Sequence, residues 1–118
     1  MIALSMSLGV GNGAAKTASG PLTPPTVAPV LIVSAASGST TANLEWTASD
    51  KTSSAGFGYQ IERENASVFS PVGTTTSLVF NEDIPTANGE TYTYRVTPYN
   101  AAGNGPASNT ASVTLPGV

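Results

Sequence analysis

Carboxylates are the only side chains in this sequence with the acid–base range of ordinary catalysis, because it contains no histidine and no cysteine. His-based triads, imidazole proton transfer, thiolate metal sites and disulfides are therefore excluded. Glu62 and Glu64 stand two apart in GYQIERE (58–64). On a strand they share one face at about 7 Å, within the range for the carboxyl pair of an inverting glycosidase. Such a pair works only across a substrate cleft, and the outer face of a central strand in a small sandwich offers none. Arg95, facing outward on the strand that should lie alongside, is the simpler partner through cross-strand pairing. Asn81, Glu82, Asp83, Asn88 and Glu90 make an oxygen-rich neighbourhood without the alternating ligands and fixed glycine of a calcium loop, so they read as a turn. Asn65-Ala66-Ser67 matches an N-glycosylation sequon, relevant only in a eukaryotic secretory setting. Asn88-Gly89 and Asn104-Gly105 read as turn formers. The residues imply no enzyme, no metal and no cofactor.

Composition narrows the class of partner. A chain of 118 residues with 40% apolar content forms one domain with one modest core. Only 9% of residues are charged, against roughly a quarter in an ordinary globular domain. The four basic residues, Lys16, Lys51, Arg63 and Arg95, are scattered, whereas a nucleic-acid groove needs them clustered. Nucleic acid is not expected as a partner. No run approaches the roughly 18 apolar residues of a membrane span, so no membrane association is expected either.

The elements that would carry these side chains are strands. Short alternating segments at 30–35, 41–47, 58–64, 68–72, 77–81, 91–97 and 110–115 are separated by Gly, Pro, Ser and Asn clusters. Seven such segments predict an all-β sandwich. Alternation predicts the core: Leu44 and Trp46 on the second strand, Tyr59 and Ile61 on the third, Leu78 and Phe80 on the fifth, and Tyr92, Tyr94 and Val96 on the sixth. Pro98 cannot donate in a central ladder, which predicts that the sixth strand ends or bulges at Thr97.

Several landmarks then fall in a familiar order: Leu44-Glu45-Trp46, Tyr59-Gln60-Ile61-Glu62-Arg63, Gly89-Glu90-Thr91-Tyr92-Thr93-Tyr94-Arg95-Val96, and Asn100 followed by Ala102-Gly103 and Gly105-Pro106. Residues 29–116 resemble a fibronectin type III domain. The resemblance implies a seven-stranded sandwich with Trp46 central in the core. It also implies that Tyr92 serves as the tyrosine-corner residue, its hydroxyl bonding backbone near the preceding turn. The stretch from Ile84 to Tyr92 is two residues longer than the family's usual Leu-x-Pro-Gly-Thr-x-Tyr. The loop 101–108 lacks the Arg-Gly-Asp found there in integrin-binding members.

The N-terminus does not belong to this pattern. In MIALSMSLGVG, residues Ile2, Leu4, Met6, Leu8 and Val10 alternate with Ala3, Ser5, Ser7, Gly9 and Gly11, the period of a strand with one buried face. The first basic residue, Lys16, follows the apolar run, whereas a secretory signal has its basic region ahead of it. Residues 12–28, rich in Gly and then Pro, read as a tether ending in polyproline II. Ordering ten arm residues costs roughly 10–20 kcal/mol of backbone entropy, and burying five apolar side chains returns about 8–15 kcal/mol. The arm therefore needs main-chain pairing with a complementary surface as well, on its own sandwich, on the same arm of a sister chain or on another protein's sheet edge. The arrangement is a docking strand (1–11), a tether (12–28) and a weakly charged sandwich (29–118). It is similar to that of tailed-bacteriophage virion proteins carrying fibronectin- or immunoglobulin-like domains. This similarity implies a capsid decoration or head-fibre protein, with a tail role next. Its partners would be major capsid or tail proteins held through Ile2, Leu4, Met6, Leu8 and Val10. It would be located in the virion, with homo-oligomers and a host-surface glycan at the exposed loops as further options. The alternative is an extracellular bacterial carbohydrate-associated or adhesion module.

Overall fold

The computed structural model describes residues 21–118. Eight strands follow one another: β1 (Leu31–Ser34), β2 (Thr41–Trp46), β3 (Gly58–Asn65), β4 (Val68–Thr75), β5 (Val79–Asp83), β6 (Glu90–Asn100), β7 (Gly103–Asn104) and β8 (Ala111–Leu115). They form two antiparallel sheets, β1-β2-β5 and β4-β3-β6, with β7 and β8 both pairing on β6. Among the described residues there is no helix. This is the predicted sandwich of seven strands, with the two-residue β7 added inside the loop expected at 101–108.

Period-2 alternation builds the core. β1 and β2 send Leu31, Ala42, Leu44 and Trp46 inward, β3 and β6 send Tyr59, Ile61, Tyr94 and Val96, and Leu115 closes the far end. Trp46 and Tyr59 meet edge to face with centroids 5.6 Å apart, the arrangement favoured by aromatic quadrupoles. Phe80 and Tyr92 are only half buried against this core.

Four expectations need correction. Leu78, expected inward, is 42% exposed. It precedes β5, which is an edge strand, and inward parity gives no burial where no neighbouring strand lies over it. Tyr92 does not form a backbone tyrosine corner among the described residues. Its hydroxyl meets the Glu90 carboxylate at 3.4 Å. The buried phenol is instead Tyr94, whose hydroxyl donates to Glu82 Oε1 at 2.7 Å. Burial, followed by the Glu82 carboxylate, pushes the Tyr94 hydroxyl above its ordinary pKa, so it remains a donor. Glu82 also pairs with Arg63 at 2.6 Å, giving the sandwich interior a polar end.

The third correction concerns β6, which runs through Pro98 to Asn100 instead of stopping at Thr97. The carbonyls of Val96 and Pro98 accept from Ser108 and Gly105, so even-numbered residues turn away from β3. The missing Pro98 N–H faces that loop, and the ladder to β3 loses no bond. Fourth, the turn after β6 is Ala101-Ala102, with the Ala102 N–H bonded to Asn100 Oδ1 at 2.8 Å. Asn104, read with Gly105 as a turn former, is instead paired in β7 just after that turn. The β3–β4 hairpin turns on Ala66 and Ser67, both at positive φ (55° and 70°), and β4 extends to Thr75.

Candidate functional site

The loops 47–57, 76–78 and 101–108 share one end of the sandwich, since β3 begins beside the ends of β4 and β6. Two features meet there. The first is the segment that enters β1. Residues 23–29, predicted as the stiff end of a tether, lie against these loops. Asn100 Nδ2 donates to the Thr23 carbonyl at 2.8 Å, Lys51 Nζ to the Pro24 carbonyl at 3.0 Å, and Ser49 Oγ to the Val27 carbonyl at 2.6 Å. Pro25 and Pro29 are buried. Gly105 sits so close to the Pro25 carbonyl that a Cβ there would lie 2.5 Å from its oxygen.

Asp50 is the centre of this clamp. It accepts from the Thr26 hydroxyl at 2.6 Å, the Thr26 N–H at 2.7 Å and the Val27 N–H at 3.3 Å. The two Thr26 donors stabilise the carboxylate and draw its pKa down to about 2. A carboxyl depressed on docking stabilises the docked segment fully above its unfolded value of about 4. That contribution is lost as pH falls through the folded value near 2. The Thr26 amide resonance should therefore titrate with a midpoint near pH 2, and Asp50→Asn should shift it already at neutral pH. A midpoint near 4 would mean that the carboxylate is unengaged in solution.

The second feature is a groove of about 430 Å³ between the loop 48–57 and residues Thr76 and Leu78. Thr52, Ser53, Ser54 and Thr76 line it together with Phe57 and Leu78, and no charged residue contributes. Phe57 also packs edge to face on Tyr59, which fixes its ring. Sequence reasoning missed this groove because its residues come from loops without a motif.

The carboxylates weighed for chemistry lie elsewhere and apart. Glu62, on the outer face of the β3–β6 ladder, is 9% exposed and accepts from Arg95 Nε at 2.8 Å and Thr97 Oγ1 at 3.1 Å. Arg95 in turn lies over the Phe69 ring at 4.2 Å, and Glu64 is exposed. Asp83 accepts from Thr40 and Thr41, and Glu90 from the Asn88 N–H. Among the described residues no three acidic side chains converge on a metal position. Ile2, Leu4, Met6, Leu8 and Val10 lie outside the described residues.

The two sheets, the clamped N-terminal segment and the loop-lined end make up one small all-β sandwich. Residues 23–114 match the fibronectin type III domain family, and the chain belongs to that family. Similar solved structures include one described as FN3tt, with 23% identity and a TM-score of 0.66, covering 79% of this chain and 96% of the other. An Fn3-like protein from Clostridium thermocellum shares 25% identity at a TM-score of 0.59, covering 81% and 95%. A fibronectin type III domain of human fibronectin type III domain containing protein 3 shares 25% at 0.57, covering 87% and 93%. No curated protein matches the sequence.

Proposed function

We propose that this chain is a non-enzymatic structural protein of a tailed-phage virion, a capsid decoration or head-fibre protein anchored by residues 2–10, with a tail position as the next choice. The observation that carries this reading is the clamp on residues 23–29. It makes the chain leave the sandwich at one defined end, with the period-2 face of Ile2, Leu4, Met6, Leu8 and Val10 ahead of it. An apolar strand offered on a short lead suits strand addition to a partner's sheet edge. Many copies on one particle make modest single-arm affinity sufficient. The family fold supplies a compact body, and its 9% charged content suits display on a crowded surface. The partners are then major capsid or tail proteins, and the location is the virion. Purified full-length protein should sediment with particles lacking it and saturate at a fixed copy number. Protein that stays in the supernatant at all concentrations would refute the reading.

The groove favours a second reading, an extracellular carbohydrate-associated or adhesion module. An uncharged lining of Thr and Ser residues beside an aromatic ring suits a neutral sugar. Titration with neutral oligosaccharides at millimolar concentration separates the two. Under the virion reading without a loop glycan the Phe57 and Thr76 amide resonances stay in place, and saturable shifts there in protein that does not sediment with particles would favour the module.

A further inference from the structure

The arm has a candidate seat on its own domain. β5 is the outermost strand of its sheet. On its inner side the Leu78 carbonyl accepts from Trp46 and the Ile84 N–H donates to Thr40, so even-numbered residues bond toward β2. Alternation turns the N–H and C=O groups of Val79, Asn81 and Asp83 to the open side, where no group among the described residues bonds them. Two other edges, those of β4 and β1, are blunted. β4 carries Pro71 and a register shift opposite Ile61 and Glu62, and Asn109 caps both the N–H and the carbonyl of Leu31 on β1. β5 has neither proline nor bulge, and such an edge templates another strand.

The side chains along this edge are also incompletely covered. Leu78 shares the inward parity of Phe80 yet is 42% exposed, and Phe80, Ile84 and the bulged Val72 are only half buried. These apolar groups lie where one further strand would cover them. Direction and length fit the chain's own N-terminus. β5 starts at the end where residues 23–29 are clamped and runs away from it. A strand antiparallel to β5 therefore finishes at that same end. Residues 11–20 extend up to roughly 35 Å, and the path from Val79 to the clamp crosses two strand spacings and one sheet spacing, on the order of 20 Å.

We propose that residues 2–10, before a partner takes them up, lie antiparallel along this chain's own β5 as an added strand. Val10 then sits beside Leu78, Leu8 beside Phe80 and Leu4 beside Ile84. Met6 falls beside Glu82, whose charge is already paired with Arg63. Gly9, Ser7 and Ser5 face outward opposite Val79, Asn81 and Asp83. A tethered strand competes at an effective concentration in the millimolar range, above any ordinary concentration of a second copy. This inference rests on the arm being the anchor, and adds that the anchor is stored on the domain and exchanged at assembly.

The absence of cysteine allows a clean test with full-length protein. Val10→Cys with Leu78→Cys should oxidise at micromolar concentration to a monomeric disulfide. It should do so at least about tenfold faster than Val10→Cys with Asp83→Cys, whose partners the register keeps apart. Amide exchange at Val79, Asn81 and Asp83 should be slowed at least about tenfold in the wild type, and the slowing should vanish in Leu4→Asp/Leu8→Asp. Covalent dimers, equal rates for the two cysteine pairs, or unprotected β5 amides would overturn the proposal. Particle sedimentation keeps the two readings separate. A locked monomer that binds particles only after reduction supports both, whereas a locked monomer that binds equally well leaves the stored strand standing and removes the arm as anchor.

Discussion

Trp46→Ala is expected to remove roughly 3–5 kcal/mol of folding stability, the usual cost of truncating a large core aromatic. Trp46 is 5% exposed and packs on Tyr59, with Leu44 on the same strand face. A domain of this size holds about 5–15 kcal/mol in total, so the variant should be largely unfolded in mild denaturant. The indole N–H is the one buried side-chain donor without a partner among the described residues. Phenylalanine removes that unpaired group while keeping a ring, so Trp46→Phe should cost markedly less than alanine. Because Trp46 is the sole tryptophan, the transitions must be followed by circular dichroism rather than fluorescence. A loss below about 1 kcal/mol for alanine would mean that the indole is not at the centre of the core in solution.

Where two sheets face each other, alternation alone located the core, as at Leu44, Trp46, Tyr59, Ile61, Tyr94 and Val96. It failed at Leu78 because parity states which way a side chain points, not whether another strand covers it. The β3–β4 turn fell in the gap between the segments read at 58–64 and 68–72, although Ala66 and Ser67 adopt positive φ without the Asn-Gly that normally signals such a turn. The tyrosine role passed from Tyr92 to Tyr94 because the decisive partner, Glu82, comes from the opposite sheet. Pro98 was misjudged for a related reason: its effect depends on which side of the strand the missing N–H would face. The clamp was invisible because its contacts are tertiary. Thr26 and Asp50 are 24 positions apart, and nothing local in Pro24-Pro25 announces a loop aspartate waiting for it. The arm, by contrast, is legible only in the sequence, through the alternation of residues 2–10.

That alternation supports the second large effect. Leu4→Asp with Leu8→Asp places two carboxylates on the face that strand addition buries, and each is costly to desolvate without a partner. Ser5→Asp with Ser7→Asp adds the same charge on the opposite parity, which strand addition would leave toward solvent. Net charge changes equally in the two variants, so a difference between them isolates the face from general electrostatics. The loss should reach at least about two orders of magnitude in apparent affinity for the first pair, since even about 3 kcal/mol corresponds to that factor. The second pair should bind within about tenfold of wild type, with uneven occupancy on particles when binding is only partly weakened. The fold should survive both changes, because the described core contains none of these four residues.

The most direct test of the proposed virion role is therefore quantitative sedimentation of the three full-length proteins with phage particles lacking this protein. Saturable binding of wild type, near-wild-type binding of the serine pair and no binding of the leucine pair are the expected results. Equal binding of the leucine pair and wild type would contradict anchoring by the arm and assign the attachment to the sandwich itself.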